Sequence, residues 1–285
     1  MPLVLITGAS TGIGEATSLR LARGGWTVLA GVRDAAAGER LAERAGASGR
    51  VVPVTLDVTE PQQIADAAAR VDAESDGAGG ASGRLDALVN NAGVGYGGPV
   101  ELVTADEWRK QFDVNVVGAV AVTQALLPAL RGARGRIVFT SSIGGRISTP
   151  FIAPYAASKH ALEAIGDALR VELATSNVRV ALVEPGSVAT PIWDKSRAEA
   201  QRLAIPQELS AFYGKVPAAM GKVIEETARR GIPPDEVAKV IERALTEPRM
   251  KARYVVGRDA RVQLLMRRLL PDLVFDRVIR RFVGV

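Results

Sequence analysis

Apolar positions along this chain alternate between two rhythms. Short β-branched runs at Leu3 to Thr7, Thr27 to Val32, Val51 to Leu56, Leu85 to Asn90, Arg136 to Thr140 and Val178 to Val183 predict buried strands. Longer stretches with helical spacing lie between them. The clearest runs from about Tyr155 to Ala174, where Leu162, Ile165, Leu169 and Leu173 form one apolar stripe. Strand and helix in alternation imply βαβ units with right-handed crossovers, and so a doubly wound α/β parallel sheet in a single domain. Ligands of such sheets bind at the carboxyl ends of the strands.

Two segments leave this rhythm. Residues 75 to 83, SDGAGGASG, read as a surface loop inserted between a helix and a strand. Residues 190 to 232 carry Pro191, Trp193, Pro206, Phe212, Tyr213, Pro217 and Met220 without a strand, which suits an apolar lid over a substrate.

Composition narrows the chemistry. The chain has 285 residues, 47% hydrophobic and 24% charged, and a globule of this size buries roughly three quarters of its extended surface. Its amino end shows no leader, and no run approaches the ~18 to 20 apolar residues of a membrane span, so a cytoplasmic protein is expected. Zero cysteines and one histidine, His160, exclude thiolate chemistry and Cys- or His-rich metal sites; no metal is expected. Of the net charge of +5, residues 258 to 285 hold +4, seven arginines against three aspartates. The rest is near neutral and lacks the basic and aromatic interleaving of a nucleic-acid surface, so no nucleic-acid partner is expected.

The first strand runs into TGASTGIG at 7 to 14 and then a helical pattern. Gly8 permits a tight exit from the strand, Gly12 lets backbone approach a pyrophosphate, and Gly14 lets the helix pack closely. The helix amino end offers unpaired N–H groups to phosphate. At the end of the second strand, in LAGVRD, an acidic residue would select NAD, whereas Arg33 favours the 2′-phosphate of NADP unless it pairs with Asp34 or points into solvent. Tyr155 and Lys159 stand one helical turn apart on one face, where an ammonium can lower a phenol's pKa and fit it for proton transfer.

The loop spacing, with Asp57-Val58 after the third strand, NNAG at 90 to 93 after the fourth, and Ser142 thirteen residues before Tyr155, resembles the short-chain dehydrogenase/reductase family, and in particular its steroid and retinol dehydrogenase branch. That resemblance implies a sheet ordered 3-2-1-4-5-6-7 over residues 1 to 257, followed by a basic amphipathic tail, 258 to 285. It implies a catalytic group of Asn115, Ser142, Tyr155 and Lys159, the asparagine holding a water-linked proton path behind the lysine. Ser141 is the competing serine. Gly8, Ser10, Thr11, Gly12, Ile13, Gly14, Arg33, Asp57, Val58, Asn91, Ala92, Gly93, Tyr155, Lys159, Pro185, Gly186, Val188 and Thr190 are the implied cofactor contacts.

The expected reaction moves a hydride between NADP(H), with NAD as the alternative, and a hydrophobic secondary alcohol or ketone. A non-catalytic dinucleotide sensor, and an epimerase or dehydratase on the same fold, are the competing functions. A homo-oligomer, dimer or tetramer, is expected. In the tail, Pro271 divides two amphipathic stretches, one with Val262, Leu265, Met266 and Leu269 on a face, the other with Phe275, Val278, Ile279 and Phe282. They suit packing against a neighbouring subunit, closing the pocket, or peripheral contact with an anionic membrane.

Overall fold

The computed structural model describes residues 1–75, 83–190 and 205–283. Strands β1 (Leu3–Thr7), β2 (Thr27–Val32), β3 (Arg50–Thr55), β4 (Ala87–Asn90), β5 (Arg136–Thr140), β6 (Arg179–Pro185) and β7 (Arg253–Val256) form one parallel sheet in the order β3-β2-β1-β4-β5-β6-β7. The helices are α1 (Gly12–Arg23), α2 (Ala35–Ala45), α3 (Pro61–Glu74), α4 (Ala105–Phe112), α5 (Gly118–Ala133), α6 (Ala153–Glu172), α7 (Ser210–Tyr213), α8 (Val216–Arg230), α9 (Pro234–Thr246), α10 (Arg258–Leu269) and α11 (Asp272–Val283).

Successive residues of a strand face opposite sides of a sheet, and the chain uses this to fill two cores. Val4, Ile6, Val28, Ala30, Val138 and Val183 pack with α1, α2 and α9 on one side. Leu3, Leu5, Leu29, Leu88, Ile137, Phe139 and Leu182 pack with α3, α5 and α6 on the other. Burial on both faces is why these strands read as continuous apolar runs.

The strand boundaries move for local reasons. β4 begins at Ala87, and the preceding Asp86 accepts the Leu3 backbone N–H on its carboxylate at 2.8 Å. β6 extends to Pro185 because it pairs with β7, Glu184 opposite Val255 and Pro185 opposite Val256. β7, at the sheet edge, fully buries only Tyr254 and Val256 of its four residues, so it gives no continuous apolar run.

One expectation is corrected. The continuous helix Ala105–Ala133 is, by length and composition, apolar enough to cross a bilayer. Its Val122, Leu126, Ala129 and Leu130 fill the core beneath the sheet, so its apolar character is that of a core helix.

Of the expected lid, Pro191 and Trp193 lie outside the described residues, as does most of the 75–83 loop. The described remainder is helical: Pro217 stands in the first turn of α8, and Val216, Met220 and Ile224 cluster with Phe151 and Tyr213. The basic tail forms two helices broken at Pro271, α10 and α11, with Phe275 buried and Arg267 stacked 5.5 Å above its ring. Val278 is exposed and Ile279 half-buried, and the Phe282 side chain lies outside the described set. Packing does not stop at Gly257: Ala260 is fully buried and Asp259 turns inward, so α10 begins as part of the domain.

Candidate active site

At the carboxyl edge of the sheet, where β1 and β4 diverge, a cavity of about 420 Å³ opens. Its first wall is the turn after β1. Gly8 and Gly12 adopt φ of 64° and 60°, a region that disfavours side chains, and a Cβ on Gly8 would stand 2.8 Å from the Ala92 Cα. Thr11 precedes α1 in extended conformation without a side-chain cap, which leaves the helix's first N–H groups facing the cavity. Gly14 does not line the cavity. A Cβ there would meet the Gly8 carbonyl oxygen at 2.2 Å, so its role is the close packing of helix on loop.

The NNAG segment fastens this turn. Thr7 Oγ1 accepts from the backbone N–H groups of Asn91 and Ala92, both at 2.9 Å, and Asn91 Nδ2 donates to the carbonyls of Thr7 and Gly8 at 3.1 Å. Ser10, Thr11, Ile13, Asp57, Val58, Asn91, Ala92 and Gly93 all line the cavity. Asp57 accepts from the Thr59 N–H and hydroxyl through one oxygen.

Arg33 lines the cavity at the end of β2 and is exposed. Its neighbour Asp34 is occupied elsewhere, capping α2 at the Ala36 N–H and lying 3.7 Å from Arg40. Among the described residues Arg33 has no ion-pair partner, so the pairing with Asp34 considered above does not form.

On the opposite wall α6 presents Tyr155 and Lys159 one turn apart. Lys159 is buried; its Nζ donates to the Thr140 carbonyl at 2.8 Å and lies 5.8 Å from the Tyr155 ring centroid. Burial lowers its pKa to about 8, with the Glu163 carboxylate opposing. The Tyr155 phenol is pushed up by burial, its bond with Ser142 acting the other way. The expected lowering of the phenol's pKa is therefore not met, because burial outweighs the bond with Ser142.

The two serines separate cleanly. Ser141 donates to the buried Glu163 carboxylate at 2.6 Å. Ser142 Oγ accepts from the Gly144 N–H at 3.0 Å and its hydroxyl meets the Tyr155 phenol, so the two O–H groups converge on one spot of the cavity wall. Asn115 sits off the cavity wall on a π-helical turn, Asp113–Val117, of the kind that recurs at functional sites. Its amide is fully engaged: Oδ1 accepts from the Val94 N–H at 2.8 Å, and Nδ2 donates to the Val94 carbonyl at 3.0 Å and to Ser158 Oγ at 3.1 Å. Ser158 in turn donates to the Tyr155 carbonyl at 2.7 Å. Asn115 thus ties the 94–96 loop to the helix bearing Tyr155. His160 is exposed on another face, with Nδ1 2.8 Å from the Ala156 carbonyl.

Pro185, Gly186, Val188 and Thr190 line the floor. Asp259 secures this turn from α10, accepting from the Ser187 N–H at 2.8 Å. Sequence reasoning counted Asp259 only as a tail charge. It also missed Glu163, which shares Arg253 with the buried Glu184. Glu163 lies one further turn along the Tyr155/Lys159 face, a spacing that was visible.

These features fit a nicotinamide dinucleotide: a glycine cradle that a Cβ would fill, an uncapped helix terminus, and the unpaired buried Thr140 Oγ1 on the cavity wall. They define a Rossmann-type oxidoreductase. The sequence model of the short chain dehydrogenase family matches residues 2–201, and the chain belongs to that family. Retinol dehydrogenase 5 of Mus musculus is 35% identical over 284 residues, covering 97% of this chain and 87% of the relative. The NADPH-dependent 3-dehydrocapnine reductase of Ornithobacterium rhinotracheale is 32% identical over 283 residues, covering 98% and 96%. The crystal structure of a short chain dehydrogenase/reductase from Burkholderia phymatum in complex with NAD matches with a TM-score of 0.77 at 26% identity over 94% of each chain. The chain is an NAD(P)-dependent dehydrogenase acting on CH–OH groups.

Proposed function

We propose that the protein interconverts hydrophobic ketones and secondary alcohols of steroid or retinoid size, with NADP(H) as the preferred dinucleotide. The single observation that carries this reading is the cavity joining the unpaired Arg33 at one end to Ser142, Tyr155 and Lys159 at the other. The dinucleotide, when bound, supplies or accepts the hydride. Arg33 would hold its 2′-phosphate, the α1 terminus its pyrophosphate, and Lys159 its nicotinamide ribose.

The protein's own groups handle the oxygen. A ketone oxygen placed between Ser142 and Tyr155 accepts two O–H hydrogen bonds, which stabilise negative charge as it develops. The buried phenol, protonated at neutral pH, then delivers its proton to that oxygen. Asn115 and Ser158 keep the Tyr155 turn in register while this occurs.

The apolar substrate class is supported by an apolar cluster next to the cavity wall: Met220 of α8 lies against Gly97, which follows the lining Gly95 and Tyr96, and Phe151 holds φ 68°, an uncommon conformation fixed by the Gly98 N–H on its carbonyl at 2.7 Å. Retinol dehydrogenase 5 and the NADPH-dependent reductase among its relatives support the same reading. A panel of ketones, from small polar to steroid-sized, assayed by NADPH and NADH oxidation tests it. Preference for small polar ketones, or for NADH, would overturn the corresponding half.

A further inference from the structure

Six of the eleven large apolar side chains exposed among the described residues fall within seventeen positions of the tail: Val262, Leu265, Leu269, Leu273, Val274 and Val278. Leu265, Leu269 and Leu273 are 56%, 68% and 71% exposed, values that a packed terminal helix has no need of. At 100° per residue, Val262, Leu265 and Leu269 share one face of α10, with Arg258 on the same face and Arg261 and Arg268 along its edge. On α11, Leu273, Val274 and Val278 span a sector that also contains Arg277 and Arg281. α11 also carries the buried Phe275 and contacts α8.

The charge on this surface is of one sign. Arg258, Arg261, Arg268, Arg277, Arg280 and Arg281 are exposed and have no ion-pair partner among the described residues. Arg267 alone is paired, with Asp272; Asp259 is turned inward to Ser187. Only Asp276 stands exposed and unpaired against them. Leucines interleaved with unpaired arginines are poorly suited to a second copy of the same surface, since six arginines would meet six arginines. They suit a layer that offers both anions and hydrocarbon.

We propose that α10 and α11 form a docking surface for an anionic lipid bilayer, lying in its interface with the leucines inserted and the arginines among the headgroups. Because α11 also contacts α8, whose Met220 lies against Gly97 next to the lining Tyr96, docking would turn that side of the site toward the membrane, from which an apolar substrate could pass without crossing water. The docking itself does not depend on the substrate assigned above.

The test uses the full chain in vesicle sedimentation, with phosphatidylcholine alone or with about 30% phosphatidylglycerol, at low and high salt. Binding is expected only to the anionic vesicles, weakening as salt rises. Neutralising three arginines, in Arg268→Gln/Arg277→Gln/Arg281→Gln, should weaken it on the order of a hundredfold, from roughly fivefold per charge. Leu265→Glu/Leu269→Glu/Leu273→Glu should abolish binding while thermal melting and turnover of a water-soluble ketone stay at wild-type values. Full-length protein that ignores anionic vesicles at low salt overturns the proposal. So does equal binding by wild type and the leucine variant, or a wild-type dimer that the leucine variant breaks without any vesicle binding in either. If binding survives but the ketone panel fails, the lipid surface stands and the substrate reading falls.

Discussion

Replacing Arg33 by alanine isolates the contribution of one side chain to cofactor choice. Arg33 is exposed, lines the cavity and forms no ion pair among the described residues, while Asp34 keeps its bonds to Ala36 and Arg40 in the variant. Folding stability should therefore change by less than about 0.5 kcal/mol. What is lost is a charge-assisted hydrogen bond to a 2′-phosphate, about 1.5–3 kcal/mol in general and nearer the lower figure at an exposed, solvent-screened position. At about 1.4 kcal/mol per tenfold, NADPH should bind roughly tenfold more weakly and NADH about as before. Calorimetric titration of both dinucleotides into wild type and variant, with parallel thermal melts, measures this. Equal weakening of both cofactors with unchanged melting, or a wild-type preference for NADH, would refute the assignment of Arg33.

Three further outcomes follow from the site. With Lys159 at about 8 through burial, reductive kcat/KM should fall as pH rises through that value; Glu163→Gln, which removes the charge opposing the discharge, should move the fall to lower pH, and a pH–rate profile that does not move would contradict it. Burial, reinforced by Glu163, raises the Glu184 carboxyl from 4.5 to about 7, so the folded protein retains a proton that the unfolded chain releases. This group's contribution is fully present below about 4.5 and lost as pH rises through about 7, so Glu184→Gln should flatten the decline in Tm between pH 5 and 8. Gly8→Val forces a branched side chain to φ 64° and its Cβ to within 2.8 Å of Ala92, so stability should drop by about 1–3 kcal/mol and dinucleotide binding should be lost; wild-type affinity in calorimetry would contradict the cradle.

The two-sided burial of the sheet made most of the fold legible, since Leu3–Thr7, Thr27–Val32 and Arg136–Thr140 carry uninterrupted apolar runs that nothing but a covered strand explains. β7 was illegible as a run because, at the sheet edge, only Tyr254 and Val256 of its four residues are fully buried, and its place is set by pairing with β6. In the site, the residues with motif spacing, Gly8 to Gly14, Tyr155, Lys159 and Ser142, were visible because chemistry fixes their order along the chain. The resemblance also chose Ser142 over Ser141; what the sequence could not reveal is the reason, Glu163 reaching across 22 positions to take the Ser141 hydroxyl. Asp259 was hidden for the same reason, its partner Ser187 lying 72 residues away. The direction of the Tyr155 shift was misread because spacing placed the ammonium near the phenol but could not reveal how deeply the phenol is buried.

The central claim is that the Tyr155 phenol delivers the proton while the other residues bind and orient. Tyr155→Phe keeps the ring on α6 and leaves Lys159 on Thr140, so NADPH affinity should be unchanged by calorimetry. Turnover of the best ketone should fall by at least the ~10²-fold typical of a lost acid/base group. Near wild-type turnover in the variant, with NADPH still bound, would contradict the account.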